Sequence, residues 1–259
     1  MKIFLLNKYL VDFFAAIMLF TRIPVKWSFF STEPPDLTRA SWSFPLIGLL
    51  VGILSGMLGD ICIYLELPIF LSCVTAIIFS LIVTGAFHED GLADVCDGFG
   101  GGFSPADKLR IMKDSRIGTY GATALWVVLS LRTAILAFLD PALGIVLLVV
   151  AHALSRIAPL VLIYLLNYVQ DAEAARAKPV AQGVPSRGLL VGLAVIVPLG
   201  LWQLQLTVVA GLILVAAVLL LARLCVRQIG GYTGDYLGFS QQISEVLIYL
   251  SASGLWLST

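Results

Sequence analysis

Apolar residues in this chain run in long unbroken stretches. Uncharged segments extend from Ala40 to Gly59, from Leu67 to Phe87 and, over 35 residues, from Gly188 to Ala222. Each reaches or exceeds the roughly 20 residues that an α-helix needs to cross a bilayer. Continuous apolarity also excludes the strands of a membrane β-barrel, which would alternate in polarity. The pattern predicts an all-α, polytopic integral membrane helical bundle with about seven spanning helices, at 44–65, 67–87, 118–139, 141–166, 189–203, 206–222 and 243–258. Residues 9–20 are apolar for only about twelve positions and include Asp12, too short a run to span, so they are expected to form an interfacial amphipathic helix. No internal repeat is visible, and residues 1–259 read as one membrane domain.

Composition reinforces this picture. Hydrophobic residues make up 59% and charged residues 12%, against about 45–50% and about 25% in an ordinary soluble domain. Disorder, a coiled coil, a disulfide scaffold and a soluble Rossmann-type enzyme are excluded. Sixteen basic residues balance sixteen acidic ones, which gives nucleic-acid binding no support. Cys62, Cys73, Cys96 and Cys225 form no C-x-x-C pair, so neither a zinc site nor a disulfide framework is expected. The Met1–Leu6 segment has no small-residue cleavage site after it and does not read as a removable signal peptide.

Charge placement adds an orientation. With seven spans, one side holds Arg22, Lys26, Arg39, Lys108, Arg110, Lys113, Arg116, Arg176, Lys178, Arg187, Arg223 and Arg227, and the short turns of the other hold Asp60, Glu66 and Asp140. The positive-inside rule puts the charged linkers in the cytoplasm.

One of those linkers is over-equipped for a connection. Residues 88–116 carry ten of the 32 charges, and 88–117 reads as a cytoplasmic catalytic loop. If helical turns continue through its start, Asp90, Asp94 and Asp97 fall at i, i+4 and i+7 on one face. Three carboxylates on one stripe repel one another unless a cation lies among them, and hard oxygen donors favour Mg²⁺ or Mn²⁺ over zinc. Gly98-Phe99-Gly100-Gly101-Gly102 follows, where missing side chains allow close backbone approach to a ligand. Lys108, Arg110, Lys113 and Arg116 then supply cations suited to phosphate. Carboxylates, glycines and basic residues in that order are the parts of a phosphoryl-transfer site. The plainer alternative is a solvated cap whose basic residues touch anionic lipid head groups.

At these residues a resemblance becomes specific. His88-Glu89-Asp90-Gly91-Leu92-Ala93-Asp94, Asp97-Gly98 and Lys113-Asp114-Ser115-Arg116-Ile117-Gly118-Thr119-Tyr120-Gly121 resemble the signature of the cobalamin synthase family, adenosylcobinamide-GDP ribazoletransferase. Thr21-Arg22-Ile23-Pro24, Phe44-Pro45-Leu46-Ile47-Gly48 and Gly230-Gly231-Tyr232-Thr233-Gly234-Asp235 extend it over essentially the whole chain. The resemblance implies a multi-pass enzyme of the bacterial inner membrane with its site facing the cytoplasm. Its expected reaction joins adenosylcobinamide-GDP to α-ribazole or α-ribazole 5′-phosphate and releases GMP, with Mg²⁺ as cofactor and the lipid bilayer as surroundings. Self-association is left open. CDP-alcohol phosphotransferases share this style of chemistry, but their D-G-x-x-A-R pattern is not met after Asp90-Gly91.

Within that frame Asp90, Asp94, Asp97 and Asp235 are the expected metal ligands. Asp97 or His88 is the candidate base, the two being left as alternatives. Lys113 and Arg116 are expected on phosphate oxygens. Arg22, Lys108, Arg110 and Asp114 complete the substrate contacts, Asp114 by orienting a basic neighbour or joining the metal. Arg132, His152 and Arg156 fall inside spans, where an ionisable residue needs a cavity or a partner. His152 and Arg156, four residues apart, are expected to line a substrate cavity, with Glu245 opposite. Gly48, Gly52 and Gly56 argue for close helix packing. Two other readings compete: a phospholipid-forming CDP-alcohol phosphotransferase, and a secondary transporter using Arg132, His152 and Arg156 as an ion relay.

Overall fold

The computed structural model describes residues 8–169 and 183–256; among them it is helical, with no strand beyond a single bridge between Tyr168 and Tyr232. Met1–Leu6, Arg176 and Lys178 lie outside the described residues. In chain order the helices are α1 (Lys8–Phe20), α2 (Leu37–Ala40), α3 (Phe44–Tyr64), α4 (Ile69–Thr84), α5 (Phe87–Gly101), α6 (Pro105–Met112) and α7 (Thr119–Phe138). They continue as α8 (Pro141–Ser155), α9 (Ile157–Leu165), α10 (Ser186–Leu193), α11 (Ile196–Trp202), α12 (Leu204–Ile229) and α13 (Gly234–Trp256).

Four helical stretches are long and apolar enough to cross a membrane: Leu37–Tyr64, Thr119–Phe138, Pro141–Leu165 and Leu204–Ile229. A fifth results if α4 and α5 are taken as one span, although they meet at 88°. The membrane-bundle class is therefore as expected, and the count is four or five among the described residues instead of seven. Residues 189–203 fall into two short helices because Pro198 has no N–H for the carbonyl of Ala194. Residues 243–256 lie in α13, whose buried face carries Ser240, Gln241, Gln242, Ser244 and Glu245 and so lacks the apolar character of the other spans.

The central span is Pro141–Leu165, most of which is buried by its neighbours. It breaks at Arg156, since Pro159 removes the hydrogen bond to Ser155. Its nearest companion is α3, along the expected glycine stripe. A Cβ at Gly48 would strike the carbonyl of His152, one at Gly52 the backbone of Leu148 and Val149, and one at Gly56 the side chain of Ile145. Close backbone approach replaces side-chain volume there, as in membrane helix pairs generally. The peripheral helices turn residues such as Ile82, Trp126 and Leu212 outward. At the N-terminal side α1 packs on α2 and α3, and its buried Asp12 takes a 2.6 Å contact from Arg39 Nε. A charge inside a short apolar helix is thus paired.

Candidate active site

Residues 88–117 are two helices and a short connection, so the expected loop is corrected. Gly85 at φ +65 and Ala86 at φ +54 are both left-handed, and this pair turns the chain out of α4 into α5. Glycine adopts that backbone freely whereas alanine is strained in it. Gly85 has a second reason to lack a side chain: Arg22 crosses it, with the Arg22 amide donating to the carbonyl of Val83 at 2.7 Å. The same bend that starts α5 thereby seats Arg22 over it.

α5 packs most extensively against α13. A Cβ on Gly91 would enter the backbone of Asp235, and one on Gly238 would press on His88 and Gly91. The two glycines let the helices cross nearly backbone to backbone, which carries Asp235 beside the acidic edge of α5. The result is a cavity of about 640 Å³ lined by Arg22, Glu89, Asp90, Asp94, Ser115 and Asp235, with Leu19, Ile117 and Leu125 as apolar wall. That volume lies within the range of small-molecule sites. Three of the four expected metal-ligating aspartates and one arginine expected to contact substrate, Arg22, meet there. Among the described residues no three acidic, histidine or cysteine side chains converge into a ready-made metal cage.

Asp97 goes elsewhere. Its two carboxylate oxygens accept from the amides of Gly118 at 2.7 Å and Gly121 at 2.9 Å, at the start of α7. A Cβ at either glycine would collide with that carboxylate. Asp97 therefore caps α7 from another helix, meeting donors that have no partner inside α7 itself. The expected glycine run is likewise structural: Gly98 makes room for Met112 and Lys108, Gly100 for the ring of Tyr120, and Gly102 for Lys108.

Most of the basic residues expected on phosphate stand outside the cavity. Lys108 hydrogen-bonds Gln228 of α12, and Arg110 lies exposed, 3.8 Å from Asp107. Lys113 ends α6. Arg116 is exposed and grips Asp114, with Nη2 at 2.7 Å from Oδ2. Hydrogen bonds from Arg116 hold the Asp114 carboxyl down to about 2. This pair brackets Ser115, which does line the cavity.

The expected pair His152 and Arg156 faces a buried polar network. Arg132 Nη2 lies 2.7 Å from Glu245 Oε1 and Nη1 lies 3.7 Å from Glu89 Oε1; His152 Nδ1 is 3.6 Å from the same Glu245 oxygen. Gln242 Nε2 donates to Glu89 Oε1 at 3.0 Å, and Gln241 Nε2 to Glu245 Oε2 at 2.6 Å. Arg156 Nη1 donates to the carbonyl of His152 at 2.6 Å. Glu245 is opposite His152 as expected, but neither His152 nor Arg156 lines the 640 Å³ cavity. His88 borders a separate apolar pocket and stacks on Phe20. Glu89 and Ser115 were missed by sequence reasoning. For Glu89 a signal existed, since Gln241, Gln242 and Glu245 interrupt an apolar terminal run and need buried partners.

Fold and site together define a polytopic helical membrane protein with an acidic, ligand-sized cavity where helix ends converge. Within that class the chain belongs to the Cobalamin-5-phosphate synthase family, whose sequence profile matches residues 12–253, and it is an enzyme. It is 45% identical over 257 residues to the adenosylcobinamide-GDP ribazoletransferase of Shewanella woodyi, covering 96% of this chain and 98% of that one. The proteins of that name from Shewanella frigidimarina and Shewanella oneidensis are 42% and 44% identical, over 95% and 92% of this chain and 95% and 91% of theirs. No solved structure matches.

Proposed function

We propose that this enzyme transfers the corrinoid phosphate of adenosylcobinamide-GDP to a ribose hydroxyl of α-ribazole or α-ribazole 5′-phosphate and releases GMP. The reading includes Mg²⁺ as cofactor and a site on the cytoplasmic face of a bacterial inner membrane. The observation that carries it is the convergence of Asp90, Asp94 and Asp235 with Arg22 around one cavity, in a chain whose full-length relatives bear the ribazoletransferase name. The basic residues Lys113 and Arg116 on either side of Ser115, together with Arg22, support the cytoplasmic assignment through the positive-inside rule.

The donor set fits the metal. Mg²⁺ binds hard oxygens and takes one or two carboxylates, completing its shell with water and substrate phosphate, so it needs no protein cage. Two of Asp90, Asp94 and Asp235 would hold it, and when bound it supplies positive charge to the diphosphate and the leaving nucleotide. Arg22 offers a guanidinium to phosphate oxygens from over the α4–α5 bend. Asp97 keeps the Ser115–Ile117 wall in place by fixing the start of α7. The acceptor oxygen bonds to phosphorus as the bond to GMP breaks, and a cavity carboxylate not engaged with metal is the group able to take the hydroxyl proton.

The test is GMP release by detergent-purified protein given adenosylcobinamide-GDP and α-ribazole, with and without EDTA. Chelation is expected to abolish turnover, and Asp94→Asn to lower it by about 100-fold, the upper range for disturbed metal sites. Undiminished turnover in EDTA and in Asp90→Asn, Asp94→Asn and Asp235→Asn would remove the metal reading; absence of GMP from the unaltered protein would remove the activity.

A further inference from the structure

A second cavity adjoins the acidic one, where the end of α1 meets the starts of α3, α5 and α13. It measures about 40 Å³ and is walled by Phe20, Phe44, Phe87, Pro159 and Leu237 among other apolar residues. Among the described residues, His88 is the one polar side chain on its lining. That imidazole is 3% exposed and lies parallel to the Phe20 ring at a centroid distance of 5.5 Å. Its Nε2 has no hydrogen-bond partner among the described residues. Buried polar atoms are nearly always paired with protein or ordered water, so an unpaired one in a cavity wall is available to a ligand atom placed there. Leu19, Phe87 and Gly234 line both cavities, so the apolar pocket lies against the acidic one across shared walls.

We propose that this pocket receives the flat, apolar nitrogen heterocycle of the acceptor nucleoside, with His88 Nε2 hydrogen-bonding the ring nitrogen not joined to the sugar. The inference rests on the transferase reading above and assigns the acceptor half of the same site. Aromatic walls suit a planar ring by stacking and edge contacts. A single polar group suits a base with a single polar ring atom. Guanine carries several donors and acceptors, which apolar walls would leave unpaired, so the leaving nucleotide belongs in the polar cavity. His88 is then a binding residue, which accords with its place outside the acidic lining. At its present size the pocket admits little more than water. Phe87, 41% exposed and a wall of both cavities, is the side chain whose rotation would join the two spaces for a bicyclic ring.

The test compares a benzimidazole riboside with the isosteric indole riboside, in which a C–H replaces the free ring nitrogen. Unaltered protein is expected to favour the benzimidazole compound by about tenfold in kcat/KM, the effect of one hydrogen bond. His88→Phe should compress that ratio to about twofold or less, whatever its absolute rate. Phe87→Ala should raise kcat/KM for a tricyclic naphthimidazole riboside relative to benzimidazole. No preference in the unaltered protein, or a tenfold preference retained by His88→Phe, overturns the proposal. Should His88→Phe fail to fold, the unaltered protein's ratio and the Phe87→Ala size shift decide. Calorimetric binding of the two ribosides alone reads the same ratio without turnover. Preference in binding with no GMP formed would sink the transferase reading and keep the pocket.

Discussion

Asp97 makes the sharpest single-residue distinction in the site. Both of its oxygens serve the amides of Gly118 and Gly121, so it is a positioning residue for the cavity wall. Asp97→Ala should cost about 1.5–3 kcal/mol, the range for hydrogen bonds to a charged group, measured as thermal stability in detergent. On the proposed metal reading, the Mg²⁺ concentration for half-maximal activity should be unchanged in this variant and raised in Asp94→Asn. Gly121→Ala should reproduce the Asp97→Ala loss, because its methyl group displaces the carboxylate. Asp114 behaves differently, being exposed and held by Arg116 at about 2 in the folded protein. A lowered folded value means the contact is fully present above the ordinary carboxylate value of about 3.9 and is lost as pH falls through about 2. Arg116→Gln should return the Asp114 titration toward about 4, read by carboxyl carbon NMR. The sequence spacing grouped Asp90 with Asp94, and both line the cavity from α5. It could not separate Asp97, whose direction is set by a helix 21 residues farther along.

At the scale of elements, the site depends on glycines that let backbones meet. Gly85→Ala would place a methyl group against Arg22 and strain a left-handed residue by about 1–2 kcal/mol. Stability should fall by at least that amount, with a larger fractional loss in GMP release than Ala86→Gly, which relaxes the neighbouring left-handed position. Gly91→Leu should part α5 from α13 and withdraw Asp235 from the cavity, leaving α3 and α8 packed as before. The long spans were legible because an uncharged run reports lipid directly. The bend between α4 and α5 was not, since Leu67–Phe87 reads as a single apolar run and the turn is specified by two backbone angles. The helix expected at 243–258 was legible as α13, but its earlier start at Gly234 and its buried polar face were not, since that face has meaning only once Glu89 and Arg132 stand opposite it.

Across the whole molecule, buried charges tie α5 to the bundle interior. Arg132 lies between Glu89 and Glu245 with no exposed surface of its own. Removing one partner of a buried pair leaves an uncompensated charge, so Arg132→Met should destabilise by about 3–5 kcal/mol. In a double-mutant cycle with Glu245→Gln, the combined loss should be less than the sum of the two, measured by detergent unfolding. Only the need for partners, not their identity, was visible in the sequence, because the three residues are far apart along it. A related consequence concerns synthesis. The acidic edge of α5 faces Asp235 and leans on Gln242, both in α13, about 150 residues downstream along the chain. A nascent chain halted after α12 thus owns every other wall of the cavity and still has no working site. On the proposed reading, premature termination should leave an inert membrane passenger instead of a partly active enzyme, with competence arriving only once α13 has been made.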